Sequence, residues 1–275
     1  MPIANVNGTQ IHYEINGQGE PLLLLPGLGL DKTYYRFGVP LLSRFVKTIG
    51  VDPRGVGQSD KTMREFTTDL WADDFAALVD QLALGKVHVL GSSLGGCMAM
   101  ALAEKYPDKV KSIIVVGGFS ELDRGIEINF KLRLKIISKL GMGEEIADHM
   151  GLWTLSRQFM ETEEGGAIME ANKIAVRKNA PDVYMALIKS ILHFGRKLPG
   201  QEKEPLFTER LKHIKTPTLV MAGDDDHFIP AGHSKRIANG IPGAQYVEIQ
   251  GGGHIPFIQK PKESSLAVLQ FLSSL

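Results

Sequence analysis

Gly91-Ser92-Ser93-Leu94-Gly95-Gly96 sets one serine, Ser93, between glycines two positions away on either side. The apolar run Lys86-Val87-His88-Val89-Leu90 precedes it, and a stretch apolar almost all round runs from Ser93 to Tyr106. Ser93 is thus expected where a buried strand gives way to a buried helix, the setting of a nucleophile elbow. Such a turn strains its central residue and lifts the hydroxyl above the sheet edge. The second neighbours must be tiny, because strand and helix pass close to the turn. The helix N-terminus beneath the hydroxyl also favours negative charge developing there. Without chemistry, the same six residues would be an ordinary tight turn.

A serine hydroxyl needs a base. Of eight histidines, His254 follows Gly251-Gly252-Gly253 and the strand-like Gln245 to Ile249. That spacing predicts a loop just past the carboxyl edge of a sheet, where open α/β sheets bind ligands. His12 and His88 fall inside predicted strands; His149, His193, His213 and His233 have no such setting. His227 competes, but its neighbours suit an acid loop better. The base in turn needs a carboxylate to hold its tautomer. Gly223-Asp224-Asp225-Asp226-His227-Phe228-Ile229-Pro230 offers three adjacent aspartates after the strand Thr218 to Met221, and local sequence alone does not choose among them. A metal site from Asp224, Asp226 and His227 is disfavoured, because contiguous ligands rarely close a site unaided. The expectation is no metal and no cofactor.

These residues must be carried by a sheet. Asn7-Gly8 predicts a type I′ turn, with Ile11, Tyr13 and Ile15 alternating against His12 and Glu14. Pro21 to Leu25, Phe45 to Val51, Lys86 to Leu90, Val110 to Val116 and Thr216 to Met221 lack alternation, as strands buried on both faces do. Between them, Thr67 to Leu84 is an amphipathic helix, with Gly85 placed as its cap, and Pro107 stops the helix from Ser93. The fold class is α/β: a mostly parallel central sheet with helices on both faces. From about 119 to 207 no strand is predicted, only helices at Ile126–Leu140, Glu144–Met150, Leu152–Met160, Ile168–Lys178 and Asp182–Phe194. Residues 119–207 are therefore expected to be a helical insertion into a core made of 1–118 and 208–275.

Composition narrows the partners. The 275 residues carry 31 basic and 31 acidic side chains, 43% hydrophobic and 23% charged residues. With no net charge there is no basic field for nucleic acid or anionic lipid. No apolar run approaches the roughly 20 residues that span a bilayer, and the first residues lack the pattern of a signal peptide. Cys97, the single cysteine, suits a reducing compartment and a buried, inert thiol. A cytoplasmic monomer or homodimer acting on a small molecule is expected.

Taken together, the chain resembles the α/β-hydrolase superfamily over nearly its full length, with small carboxylesterases and 3-oxoadipate enol-lactonases among the similar members. The order Ser93, Asp226, His254 is the superfamily's nucleophile, acid, base order. Gly223, Asp226 and Pro230 match Gly-x-x-Asp-x-x-x-Pro, which selects Asp226. Gly253-His254-Ile255-Pro256 matches Gly-His-x-Pro, and Gln259-Lys260-Pro261 carries glutamine where Glu-x-Pro is common. Asp52-Pro53-Arg54-Gly55-Val56-Gly57-Gln58-Ser59 is similar to a structural turn of the superfamily, and Leu28-Gly29-Leu30-Asp31 to a stretch of the enol-lactonases.

The resemblance implies a helical cap at 119–207 and an oxyanion hole from the N–H groups of Leu28 and Leu94. Pro26-Gly27 replaces the usual His-Gly before that loop. It further implies hydrolysis of a carboxylic ester or lactone through an acyl-enzyme. Carbon–carbon bond hydrolases, cofactor-free lyases and perhydrolases share the triad, although the first of these often carry a tryptophan after the histidine, absent from Ile255 to Pro261. A non-catalytic receptor could keep it too. Gly27-Leu28-Gly29 lacks both the Lys-Ser/Thr ending and the glycine spacing of phosphate cradles. Trp153, Phe159 and Phe194, with Leu152, Met160 and Met169, are candidate substrate contacts. Lys131, Arg133, Lys135 and Lys139 are expected to form a solvated helix face.

Overall fold

A computed structural model describes residues 2–62, 65–194 and 205–275. Asn7 (φ +46°) and Gly8 (φ +67°) take the paired left-handed conformations of a type I′ turn. They fold β1 (Ile3–Val6) back on β2 (Thr9–Asn16) in antiparallel register. The sheet continues with β3 (Pro21–Leu25), β4 (Lys47–Val51), β5 (Val87–Ser92), β6 (Val110–Val116), β7 (Thr218–Gly223) and β8 (Gln245–Ile249). Its order is β1-β2-β4-β3-β5-β6-β7-β8, and from β4 to β8 all neighbours run parallel.

The strands without alternation are buried on both faces. Leu22 and Leu24 join one core with Leu90, Ile114 and Met221. Leu23 and Leu25 join the other with Val89, Ile113 and Val220. Helices cover each face: α1 (Val39–Leu42), α2 (Thr68–Gln81) and α3 (Leu94–Lys105) come before the long segment between β6 and β7. That segment holds α4 (Arg124–Leu140), α5 (Glu144–Thr154), α6 (Arg157–Met160), α7 (Glu163–Val176), α8 (Pro181–Phe194) and α9 (Phe207–Arg210), with no strand among its described residues. Residues 195–204 of the expected insertion lie outside the described ones. α10 (Ala231–Gly240) joins β7 to β8, and α11 (Pro256–Gln259) and α12 (Pro261–Ser273) follow. Among the described residues no helix is long and apolar enough to cross a membrane.

Several boundaries differ from expectation, α7 beginning at Glu163 and not at Ile168 among them, and two have a clear local cause. α2 stops before Gly85: Ala83 takes the left-handed conformation (φ +48°) and Leu84 N–H donates to Val79 O (3.1 Å), a Schellman cap built on alanine. The break expected after Met150 falls instead at Ser156, whose hydroxyl caps α6. Gly151 does not end its helix. A Cβ there would lie 2.2 Å from Met169 Sδ, so this glycine serves the close approach of α7 to α5.

The turn from Asp52 to Ser59 is a buried polar brace. Asp52 accepts from Lys32 N–H, Lys32 Nζ and Gln58 N–H, each at 2.9 Å. Arg54 grips Asp74 of α2 through Nε (2.8 Å) and Nη2 (2.6 Å), and Trp71 Nε1 donates to Arg54 O (3.1 Å). The Lys32–Asp52 pair fixes the far end of the loop that follows β3, which borders the site.

Candidate active site

After β3 the chain passes to β4 on one side, and β5 lies on the other side of β3. The connections leaving β3 and β5 therefore diverge, and a crevice opens at their carboxyl ends. Ser93 and the loop Pro26 to Leu30 border that crevice.

Ser93 has φ +55° and ψ −118°, one of three described non-glycine residues at positive φ. A Cβ on Gly91 would lie 2.0 Å from Gly95 O, and one on Gly95 would lie 2.1 Å from Leu25 O. No side chain fits at either position, which is the physical content of the glycine spacing. Ser93 N–H donates to Val116 O (2.7 Å), pinning the elbow to the end of β6.

β7 and β8 are neighbours, so the loops that leave them meet. His254 Nδ1 and Asp226 Oδ2 are 2.8 Å apart, both side chains buried. Asp226 Oδ1 accepts from Phe228 N–H (2.9 Å) and Ile229 N–H (2.8 Å), which leaves Oδ2 for the imidazole. The other two aspartates are engaged elsewhere: Asp224 accepts from Gly251 N–H (2.7 Å), and Asp225 pairs with the half-exposed His227 (3.0 Å). His254 Nε2 is buried and has no hydrogen-bond partner among the described residues.

Between β5 and β7 lies β6, and its last turn must let the imidazole pass. Gly117 (φ +55°) does so, with its Cβ position 3.2 Å from the His254 ring atoms. Gly117-Gly118 is visible in the sequence directly after a strand, but no motif marked it.

His254 is also tied to the helical segment. Its N–H donates to Thr154 O (2.8 Å). Gln259 accepts from Gly253 N–H (3.0 Å) and donates to Ser156 Oγ (2.9 Å). A glutamate could make the first bond but could not donate the second. The glutamine therefore belongs to this chain's own contact between the histidine loop and α6.

On the other side of Ser93, the loop after β3 passes so close that a Cβ on Gly27 would be 3.3 Å from Ser93 Cβ. Leu30 N–H donates to Gly27 O (3.1 Å) and Gly29 sits at φ +67°, with Tyr184 of α8 packed where its Cβ would be. These contacts shape the loop around Pro26. Among the described residues neither Leu28 N–H nor Leu94 N–H donates to a protein acceptor.

A cavity of about 100 Å³ lies against Ser93 and His254, lined by the β3 loop, Phe228, Ile255 and residues of α4, α5 and α7. It is smaller than the ~150 Å³ void that takes a benzene-sized molecule. Trp153, Phe159 and Phe194 do not line it. Ala147, Met150 and Thr154 share the face of α5 that meets the cavity, which turns Leu152 and Trp153 outward, 47% and 38% exposed. Phe159, Met160 and Met169 pack on the second core, and Phe194 on Phe119 and Phe207.

Arg133 is the larger correction. Lys131, Lys135 and Lys139 are exposed as expected, but Arg133 is buried and lines the cavity. It lies in register with Ile126, Phe130 and Ile137, the buried face of α4. That spacing was legible, and the basic neighbours masked it. Nearby, burial and then the charge of Arg133 pull the His149 imidazole down to about 4. Cys97 is buried with its thiol donating to Phe119 O (3.2 Å), and burial pushes it up to about 12.

Residues 20–261 match the model of a family described as alpha/beta hydrolase fold. A putative carbamate hydrolase RutD of Caulobacter sp. (strain K31) is 29% identical, covering 99% of this chain and 98% of that one. The thermophilic esterase of Thermogutta terrifontis shares 25% identity at a TM-score of 0.86, over 99% of this chain and 98% of the other. The enol-lactonase of Burkholderia xenovorans LB400 shares 24% at 0.87, over 99% and 100%, a likeness of fold. A family match over most of the sequence, on a parallel sheet with a glycine-flanked elbow after β5, means that this chain belongs to the alpha/beta hydrolase fold family.

Proposed function

We propose that the protein is a serine hydrolase that cleaves a carboxylic ester or lactone through an acyl-enzyme, with Ser93 as nucleophile, His254 as base and Asp226 as acid. One convergence carries this reading. A strained serine, an imidazole anchored at 2.8 Å to a carboxylate, and Leu28 border one cavity, and the N–H groups of Leu28 and of Leu94, the residue after Ser93, have no acceptor among the described residues.

Ser93 Oγ attacks the carbonyl carbon while its proton passes to His254 Nε2. The carbonyl π pair moves onto oxygen, and the N–H groups of Leu28 and Leu94 hold that oxyanion. As it collapses, the leaving oxygen takes the proton from Nε2. Water then attacks the acyl-enzyme, giving a proton to Nε2, which returns it to Ser93 Oγ as the acid departs. Asp226 remains ionised throughout and stabilises the imidazolium. The helices α4 to α8 act as a cap that closes the small cavity over these groups.

A fluorophosphonate is expected to form one adduct per chain, on the peptide that contains Ser93, and to abolish ester turnover in proportion. Turnover that survives full modification of Ser93, or an adduct elsewhere, would remove the reading. Esters, γ-lactones and carbamates compared side by side would rank the leaving groups.

Gly117→Ala adds a methyl 3.2 Å from the imidazole at φ +55°. A displaced base is expected to lower kcat about 10- to 100-fold, with KM less affected. The strained alanine is expected to cost about 1 kcal/mol in urea unfolding.

A further inference from the structure

Arg133 is 2% exposed. A guanidinium this deep is ordinarily matched by a carboxylate, because desolvating the charge alone is costly. Among the described residues no carboxylate lies within ion-pair distance of Arg133, and its Nη2 has no hydrogen-bond partner. What surrounds it is neutral. Nε donates to Asn129 Oδ1 (2.9 Å), the guanidinium carbon lies 4.3 Å from the Phe228 ring centroid and 5.5 Å from that of Phe130, and the Tyr184 phenol is close by. Both ring nitrogens of His149 are buried without hydrogen-bond partners among the described residues. Aromatic faces, one amide and the Tyr184 hydroxyl offset part of the desolvation and leave Nη2 without a partner among the described residues.

Arg133 is also part of the wall of the Ser93 cavity. Among the described lining residues Arg133 carries the single permanent charge, and Asn172 and Asn179 share the lining. Phe228 bridges the guanidinium to the base: its ring centroid is 4.9 Å from that of His254. Arginine presents parallel N–H groups matched to two carboxylate oxygens, and the asparagines can donate to the same group.

We propose that Arg133 is the specificity-determining residue of this site and binds a carboxylate carried by the substrate, a few carbon atoms from the scissile carbonyl. The proposal rests on the hydrolase reading above. The substrate is then a short ester or lactone of a dicarboxylic acid, and its carboxylate is the counter-ion that none of the described residues supplies.

The test has two arms. In the first, kcat/KM is measured for 4-nitrophenyl hydrogen glutarate and for its neutral amide analogue, 4-nitrophenyl 4-carbamoylbutanoate. Wild type is expected to favour the acid by about 10-fold or more, since a site built to bind a polar group rejects the analogue lacking it. Arg133→Met is expected to bring the ratio to about one, and Arg133→Lys to retain part of it. In the second arm, thermal unfolding of the Ser93→Ala protein is followed with glutarate and with glutaramide. Glutarate is expected to raise its melting temperature and glutaramide not, an increase lost on adding Arg133→Met.

A wild-type ratio near one, or a ratio unchanged by Arg133→Met, would overturn the proposal. Should Arg133→Met not fold, the wild-type ratio, Arg133→Lys and the glutarate shift decide alone. If Ser93 is not the nucleophile, the ester arm is void for every protein while the melting arm still reports carboxylate binding, so the two failures separate.

Discussion

Ser93→Ala is expected to lower kcat for ester hydrolysis by about 10⁴- to 10⁶-fold with the fold intact. In the proposed mechanism the Ser93 hydroxyl oxygen forms the covalent bond to the acyl carbon, and no other described cavity residue carries a comparably placed nucleophile. Some rate over water should remain, because the amides of Leu28 and Leu94 and the cavity itself do not depend on the hydroxyl. Stability should hardly change. Ser93 Oγ makes no hydrogen bond to a described residue, so its removal leaves no partner unpaired. Alanine keeps the Cβ and with it the strain of φ +55°. Ser93→Gly should remove that strain and raise stability by about 1 kcal/mol or more. Turnover and urea unfolding of the three proteins measure both statements. Activity in Ser93→Ala near wild type would defeat the nucleophile assignment. A destabilised Ser93→Gly would show that the elbow is not strained.

Asp226→Asn should lower kcat by about 10⁴-fold, and the hydrogen bonds around Asp226 say why. Oδ1 accepts two main-chain N–H groups, from Phe228 and Ile229. An asparagine keeps both bonds only by placing its carbonyl oxygen there. Its NH₂ then faces His254 Nδ1 and donates to it. The imidazole must answer with a lone pair on Nδ1 and its proton on Nε2, where it can no longer accept the proton of Ser93. The variant should fold normally, label slowly with a fluorophosphonate and show no comparable loss in substrate binding. Asp225→Asn, at a residue paired with His227 on the surface, is the control expected to leave turnover within about twofold. Equal losses in the two variants would assign the base a different partner.

Much of this site could be found along the chain because its constraints are local. Gly91, Ser93 and Gly95 lie within one turn, and a backbone that crowds to 2.0 Å of a Cβ position tolerates only glycine wherever the rest of the fold goes. Strand runs buried on both faces, the Asn7-Gly8 turn and the helical stretch before Thr218 likewise express short-range sterics and hydrophobic period. The choice among Asp224, Asp225 and Asp226 was legible only through resemblance. The loop's own hydrogen bonds, which send Asp224 to Gly251 and Asp226 to His254, depend on β8 lying beside β7.

By itself, then, the amino-acid order determined the α/β class, the elbow, the histidine loop and their order along the chain. Which side chains meet was decided only in three dimensions. Gly117 matters because β6 lies between the strands that carry Ser93 and Asp226, a fact of strand order with no local signature. Trp153 and Phe194 are apolar and near in sequence to the cavity wall, yet helix rotation turns one outward and packs the other on Phe119. Arg133 stands among exposed lysines, but a helix advances about 100° per residue, and two positions from Lys131 it points to the opposite side. Charge sets the cost of burying a residue. The tertiary packing of α4 against α5, α8 and Phe228 decides that Arg133 is buried, one ring away from His254.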